Sequence, residues 1–124
     1  MSVRTHRDLI VWQRAMDLVV EVRRISASLP PTERYVMKEQ LQRAATSVAA
    51  NIAEGAGRIE RGDYRRFLSI ARGSLMEVET YLELCVRTGY CTAAELTRAR
   101  SLSAEVLNML TAMTKTLRRR LPTT

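Results

Sequence analysis

Seven residues between Tyr64 and Cys85 constrain this chain more than any others. Tyr64, Leu68, Ala71, Leu75, Val78, Leu82 and Cys85 follow one another at steps of four and three without a break. A 3.6-residue repeat lines such positions up on one helical face, whereas a strand alternates with a period of two. An unbroken apolar seam of this kind is the contact face of a helix bundle. It defines a helix over about 61–88, ended by Gly89.

The bundle needs partners for that seam, and the sequence supplies three. A helix over about 9–28 carries two apolar sets on adjacent faces. Leu9, Trp12, Met16, Val19 and Val22 form the first, and Val11, Ala15, Leu18, Val22 and Ile25 the second. That is more apolar face than one bundle core requires. Leu29-Pro30-Pro31 ends this helix, because proline lacks an amide donor and restricts the residue before it. A helix over about 33–56, starting near Thr32 or Glu33, has the stripe Met37, Leu41, Ala44, Val48 and Ile52. Gly55 and Gly57 are expected to close it in the left-handed conformation. A helix over about 93–121 begins at a T-x-x-E capping box, Thr92 and Glu95, and continues through Leu96, Ala99, Ser103, Val106, Leu110, Met113, Leu117 and Leu121. No segment alternates as a strand does, and no linker divides the 124 residues. The expectation is one all-α domain, an antiparallel up-down-up-down four-helix bundle with short connections.

Composition narrows the function classes. Lys and Arg total 20 against 13 Asp and Glu, a net charge of +7, and 18 of the cations are arginine, whose planar fork suits phosphate. A basic balance permits nucleic acid or acidic protein partners without choosing between them. No apolar run approaches the roughly 18–20 residues of a membrane span. The apolar patch near the N-terminus is broken by Arg14 and Asp17, unlike a signal peptide, so the expected location is the cytoplasm. Cys85 and Cys91 are expected to be reduced thiols, and with one histidine, His6, they do not compose a zinc site. Neither metal nor cofactor is expected.

Folding the second and third helices back around residues 58–60 brings residues whose numbers sum to about 118 level. Gly73 then faces Ala44, Ala45 and Ala49, and the two backbones are expected to approach closely there. Ser47, Asn51 and Glu54 form a polar stripe with Arg58 at steps of four, three and four. Its expected role is structural, hydrogen-bonding neighbouring helices or a neighbouring subunit. One amide and one carboxylate, without a placed histidine, nucleophile or second acid, make a poor catalytic set, and Ser69 and Ser74 lack a base at an identifiable spacing. No catalytic residue is assigned.

The same register gathers charge. Arg4, Arg7, Arg58, Arg61, Arg65, Arg66, Arg118, Arg119 and Arg120 fall at one end of the bundle, with Asp8, Glu54, Glu60 and Asp63. Nine arginines against four carboxylates leave +5 there, most of the chain's +7. Two readings stay open: a phosphate-binding surface built from Arg58, Arg61, Arg65, Arg66, Arg118, Arg119 and Arg120, or solvated helix ends that favour cations for the dipole alone. Tyr64 and Phe67 look like core residues, so base-specific reading is not expected.

Four segments carry a family resemblance: "DLIVWQRAMDLVVEV" (8–22), "QLQRAATSVAANIAEGAGR" (40–58), "YRRFLSIARGSLMEVETYL" (64–82) and "RTGY" (87–90). They resemble the bacterial proteins encoded in intervening sequences of 23S ribosomal RNA genes, sometimes labelled S23 ribosomal proteins. The sequence departs from the family pattern at Glu60, where a serine is frequent, and at Gly62. The resemblance implies an antiparallel four-helix bundle assembling into a ring-like homopentamer, with no enzymatic activity attached. It also implies kinship in fold with the accessory variability determinant of diversity-generating retroelements, a basic pentamer that binds nucleic acid and a reverse transcriptase. The second apolar face of the first helix would then be subunit interface. The expected function is a non-enzymatic oligomeric binding protein with RNA or DNA as ligand; the alternative is a protein-interaction scaffold.

Overall fold

The computed structural model describes residues 5–31 and 34–119. The expected helix start at Thr32 or Glu33, together with Arg4, Arg120 and Leu121, lies outside the described residues. Four α-helices run Ile10–Ala27 (α1), Glu39–Ala56 (α2), Arg61–Arg87 (α3) and Thr97–Arg118 (α4), and the described residues contain no strand. A 3₁₀ turn at His6–Asp8 precedes α1, a π-helical turn at Arg34–Lys38 leads into α2, and a 3₁₀ turn at Ala94–Leu96 leads into α4.

Each helix packs on its two neighbours in a square, with α2 and α3 sharing the most extensive seam. Cross-helix bonds show the antiparallel sense. On α1 and α4, Arg14 pairs with Glu105 and Glu21 lies near Arg98. On α3 and α4, Glu79 accepts from Ser103 at 2.7 Å and Glu83 from Arg100 at 2.7 Å. In each case the position rises along one helix as it falls along the other.

The core follows the periodicities. Leu68, Ala71, Leu75, Val78, Leu82 and Cys85 of α3 are wholly buried, and Tyr64 is half-buried at the open end of the seam. On α1 the set Val11, Ala15, Leu18, Val22 and Ile25 faces inward. Of the other set, Leu9, Trp12 and Val19 are half-buried against the core and Val22 is buried, while Met16 is 39% exposed, beside Val20 at 67%. Cys85 and Cys91 are free thiols buried together at the turn from α3 to α4. Burial, with Cys91 alongside, pushes the Cys85 thiol up to about 11.

Turn chemistry explains the helix ends. Gly89 has φ +80°, and Tyr90 N–H donates to Cys85 O at 2.9 Å while Gly89 N–H donates to Val86 O at 3.1 Å. These are the paired bonds of a Schellman stop, for which glycine is the residue without a Cβ penalty. The Thr92–Glu95 box is formed reciprocally: Thr92 N–H donates to the Glu95 carboxylate at 2.8 Å, and Glu95 N–H to Thr92 Oγ1 at 3.2 Å. A similar box, absent from the sequence reading, links Thr5 and Asp8 ahead of α1.

Two expectations fail at the α2–α3 hairpin. Gly55 and Gly57 do not close α2 in the left-handed region: α2 runs through Gly55 to Ala56, and Gly57 caps it at φ −83°. Nor does Gly73 sit in a tight seam. It is exposed, and a Cβ built on it meets nothing within 4 Å. Its neighbour Ser74 turns inward instead, with its hydroxyl 2.8 Å from that of Ser47. Gly73 stands two residues from both Ala71 and Leu75, about 200° round α3 from the buried seam, so lying level with the alanines of α2 does not turn it inward. The close approach occurs at Gly55, where an added Cβ would lie 2.9 Å from Phe67 Cβ, 3.0 Å from Tyr64 Cδ1 and 3.2 Å from Tyr64 O.

Candidate functional site

The hairpin packing at Gly55 shapes the basic end of the molecule. Because Gly55 presents no side chain, the backbone of the first turn of α3 lies against α2, and Phe67 emerges half-buried beside the α2 terminus. The Arg58 guanidinium carbon lies 4.8 Å from the centre of the Phe67 ring, and that of Arg66 lies 5.4 Å from the same centre. A ring face attracts cations at such distances. Arg58 also pairs with Glu54 one turn back, at 3.1 Å.

Arg61 behaves differently. Its guanidinium reaches across to the end of α4, donating to Thr116 O at 2.7 Å, Leu117 O at 3.2 Å and Arg119 O at 3.4 Å. The last carbonyls of a helix have no intrahelical donor, and the negative end of the dipole favours a cation. Arg61 therefore closes α4 and ties it to α3. Arg65, Arg118 and Arg119 are exposed, and the expected site residue Arg120 lies outside the described residues. Arg7 and His6 approach from the start of α1. His6 packs edge-on to Trp12 at 4.9 Å and shares a shallow depression with Ala53, Glu54, Gly57 and Arg58. Ile59, at the hairpin apex, is 97% exposed.

The structure thus brings Arg58, Arg61, Arg65 and Arg66 to one end with the α4 terminus that carries Arg118 and Arg119. Glu60, the departure noted in the sequence, takes the N-cap position of α3 with extended backbone and no side-chain cap bond. The polar stripe divides into two parts. Ser47 and Asn51 face the α3 side: the Asn51 amide donates to Ser47 O at 2.8 Å and to Ser47 Oγ at 3.0 Å, and Ser47 contacts buried Ser74. Glu54 is exposed and engaged with Arg58.

Sequence reasoning missed a groove of about 900 Å³ between α1 and α4, lined in part by Arg14, Asp17, Glu21, Arg24, Arg98 and Glu105. At its floor Glu21 is only 6% exposed. Hydrogen bonding to Arg24, helped by the nearby Arg98 charge, holds its carboxyl below the ordinary 4.5. Arg14 joins Glu105 across the groove at 3.0 Å. The signal available was the i, i+3 spacing of Glu21 and Arg24 beside the core stripe. Because the folded-state pKa is depressed, this group stabilises the fold above the unfolded value and loses that contribution as pH falls through the folded value. The melting temperature is therefore expected to hold near neutrality and to drop below about pH 4.5, with a shallower drop in Glu21→Gln, as followed by circular dichroism. Among the described residues, no group of three or more His, Cys, Asp or Glu is placed to hold a metal ion, and no helix is long and apolar enough to cross a membrane.

A four-helix bundle with an arginine-lined end is the class that fold and site define. Residues 7–112 match the family model of the 23S rRNA-intervening sequence proteins, and the chain belongs to that family. A solved relative, a protein of unknown function from the S23 ribosomal protein family of Bacteroides thetaiotaomicron VPI-5482, is 29% identical. It superposes with a TM-score of 0.80, over 86% of this chain and 99% of the other. No curated protein matches significantly.

Proposed function

We propose that this chain is a non-enzymatic, oligomeric nucleic-acid-binding protein that holds RNA or DNA phosphates at its arginine-rich end. The observation that carries the reading is the convergence of Arg58, Arg65, Arg66, Arg118 and Arg119 from three helix ends, with Arg61 fastening two of those ends together. Guanidinium groups are suited to phosphate, and such contacts position a strand without reading its sequence. The exposed Ile10, Met16 and Val20 of α1 supply apolar surface for self-association. Following the family resemblance, we assign that face to a ring-like homopentamer in the cytoplasm. Repetition of the arginine end around a ring would add weak contacts through multivalency.

Fluorescence anisotropy with unrelated RNA and DNA fragments tests the reading. Similar affinities are expected across sequences. Each should fall with salt at a log–log slope of about −0.7 to −0.9 per phosphate contact. Sedimentation equilibrium should give a mass near five times the 14.1 kDa chain. Absence of binding at low salt would favour the other reading, a protein-interaction scaffold, for which the exposed α1 face is the supporting observation.

A further inference from the structure

Resting on that reading, we infer that the phosphate-holding element of the arginine end is the pair Arg58 and Arg66, poised on the Phe67 ring, and that Arg61 takes no part in binding. The two guanidinium carbons lie 4.8 and 5.4 Å from one ring centre, so they are within about 10 Å of each other, although Arg58 comes from the end of α2 and Arg66 from α3. A free arginine side chain must lose rotamer freedom to bind; a ring contact has already restricted both. The ring itself is placed by the Gly55 approach, which sets the Phe67 Cβ and the Tyr64 backbone carbonyl against α2. Arg58 and Arg66 are nevertheless exposed residues, so their outward edges can meet a phosphate. Arg61 has its guanidinium on three backbone carbonyls, which a phosphate would have to displace.

The pair also has a built-in competitor. The Glu54 carboxylate sits 3.1 Å from Arg58 and occupies one of its donors. A phosphodiester is an anion of the same hydrogen-bonding type, so it must exchange with Glu54 for that donor. Removing the carboxylate therefore strengthens binding. Phe67 is a positioning residue: it acts through the two arginines and touches no phosphate in this arrangement.

The test uses the full chain and an unstructured 20-nucleotide RNA in fluorescence anisotropy, with melting temperature measured on every variant. Arg58→Gln with Arg66→Gln is expected to make the salt slope shallower by about 1.4, two single-strand contacts. Glu54→Gln is expected to raise affinity by up to about fivefold, the upper worth of an exposed ion pair. Phe67→Leu keeps the Cβ and much of the packing but removes the ring face, and it should weaken binding severalfold, while Phe67→Tyr restores it. Arg61→Gln should lower the melting temperature and leave RNA affinity within about twofold. If wild type binds and either Phe67→Leu matches it or Arg61→Gln loses as much as the double variant, the paired site is wrong while the arginine-end reading stands. If wild type binds no RNA at low salt, both fall together.

Discussion

Gly55→Leu should destabilise this protein by about 3 kcal/mol, lowering its melting temperature by roughly 10 °C. Gly55 is buried inside α2, where glycine costs about 1 kcal/mol relative to alanine, so a compensating contact must exist. That contact is the α2–α3 approach. The first carbon of any side chain would already meet Phe67 Cβ at 2.9 Å and the Tyr64 carbonyl oxygen at 3.2 Å. Backbone cannot rotate out of the way as a long side chain does, so α3 must shift. Gly73→Ala is the matched contrast. Gly73 is exposed, its Cβ position is open, and its φ is not positive, so alanine should stabilise the helix by up to about 1 kcal/mol. Thermal melts of the two variants distinguish the observed register from one in which Gly73 lies in the seam, for which the signs would be reversed.

Leu75→Ala should cost about 2–5 kcal/mol, the range for a buried leucine truncated in a packed core. Leu75 is 0% exposed and lies midway along the α3 seam, where neighbouring helices restrict collapse around the cavity. Leu84→Ala, on the same helix but 40% exposed, should cost much less. Urea titration measures both. Equal midpoints for the two variants would mean that the steps of four and three do not mark the buried face.

The bundle was legible because burial obeys periodicity. The α3 seam from Leu68 to Cys85 could be read from spacing alone; on α1 spacing offers two apolar sets, and packing selects the one that contains Val11, Ala15, Leu18 and Ile25. The level of a residue along a hairpin was legible only loosely, and level does not decide facing. Gly73 stands two residues from both Ala71 and Leu75, about 200° round α3 from the seam, so the periodicity itself turns it to solvent while Ser74 borders the interface. Gly55 looks like punctuation in the sequence because glycine near a helix end has two uses, a left-handed stop and a close approach, and only tertiary contact distinguishes them. The arginine end was legible as a charge count. What a count omits is the reach of each side chain: Arg61 spends its donors on the carbonyls of α4, and Arg58 and Arg66 share a ring that spacing had assigned wholly to the core. The α1–α4 groove escaped for a related reason, since Glu21 lies beside the apolar stripe and its partners come from two helices.

If the arginines are a site, nucleic acid binds at one end of the bundle and not over the whole charged surface. The direct measurement is RNA affinity, by anisotropy at fixed low salt, for two charge-matched variants. Arg65→Glu with Arg66→Glu reverses two exposed charges at the arginine end; Arg23→Glu with Arg43→Glu reverses two exposed charges toward the other. The first should lose roughly a hundredfold in affinity and the second no more than about threefold, because only phosphate contacts release condensed counterions. Equal losses in both would contradict a site at the arginine end and leave only the net charge of the chain.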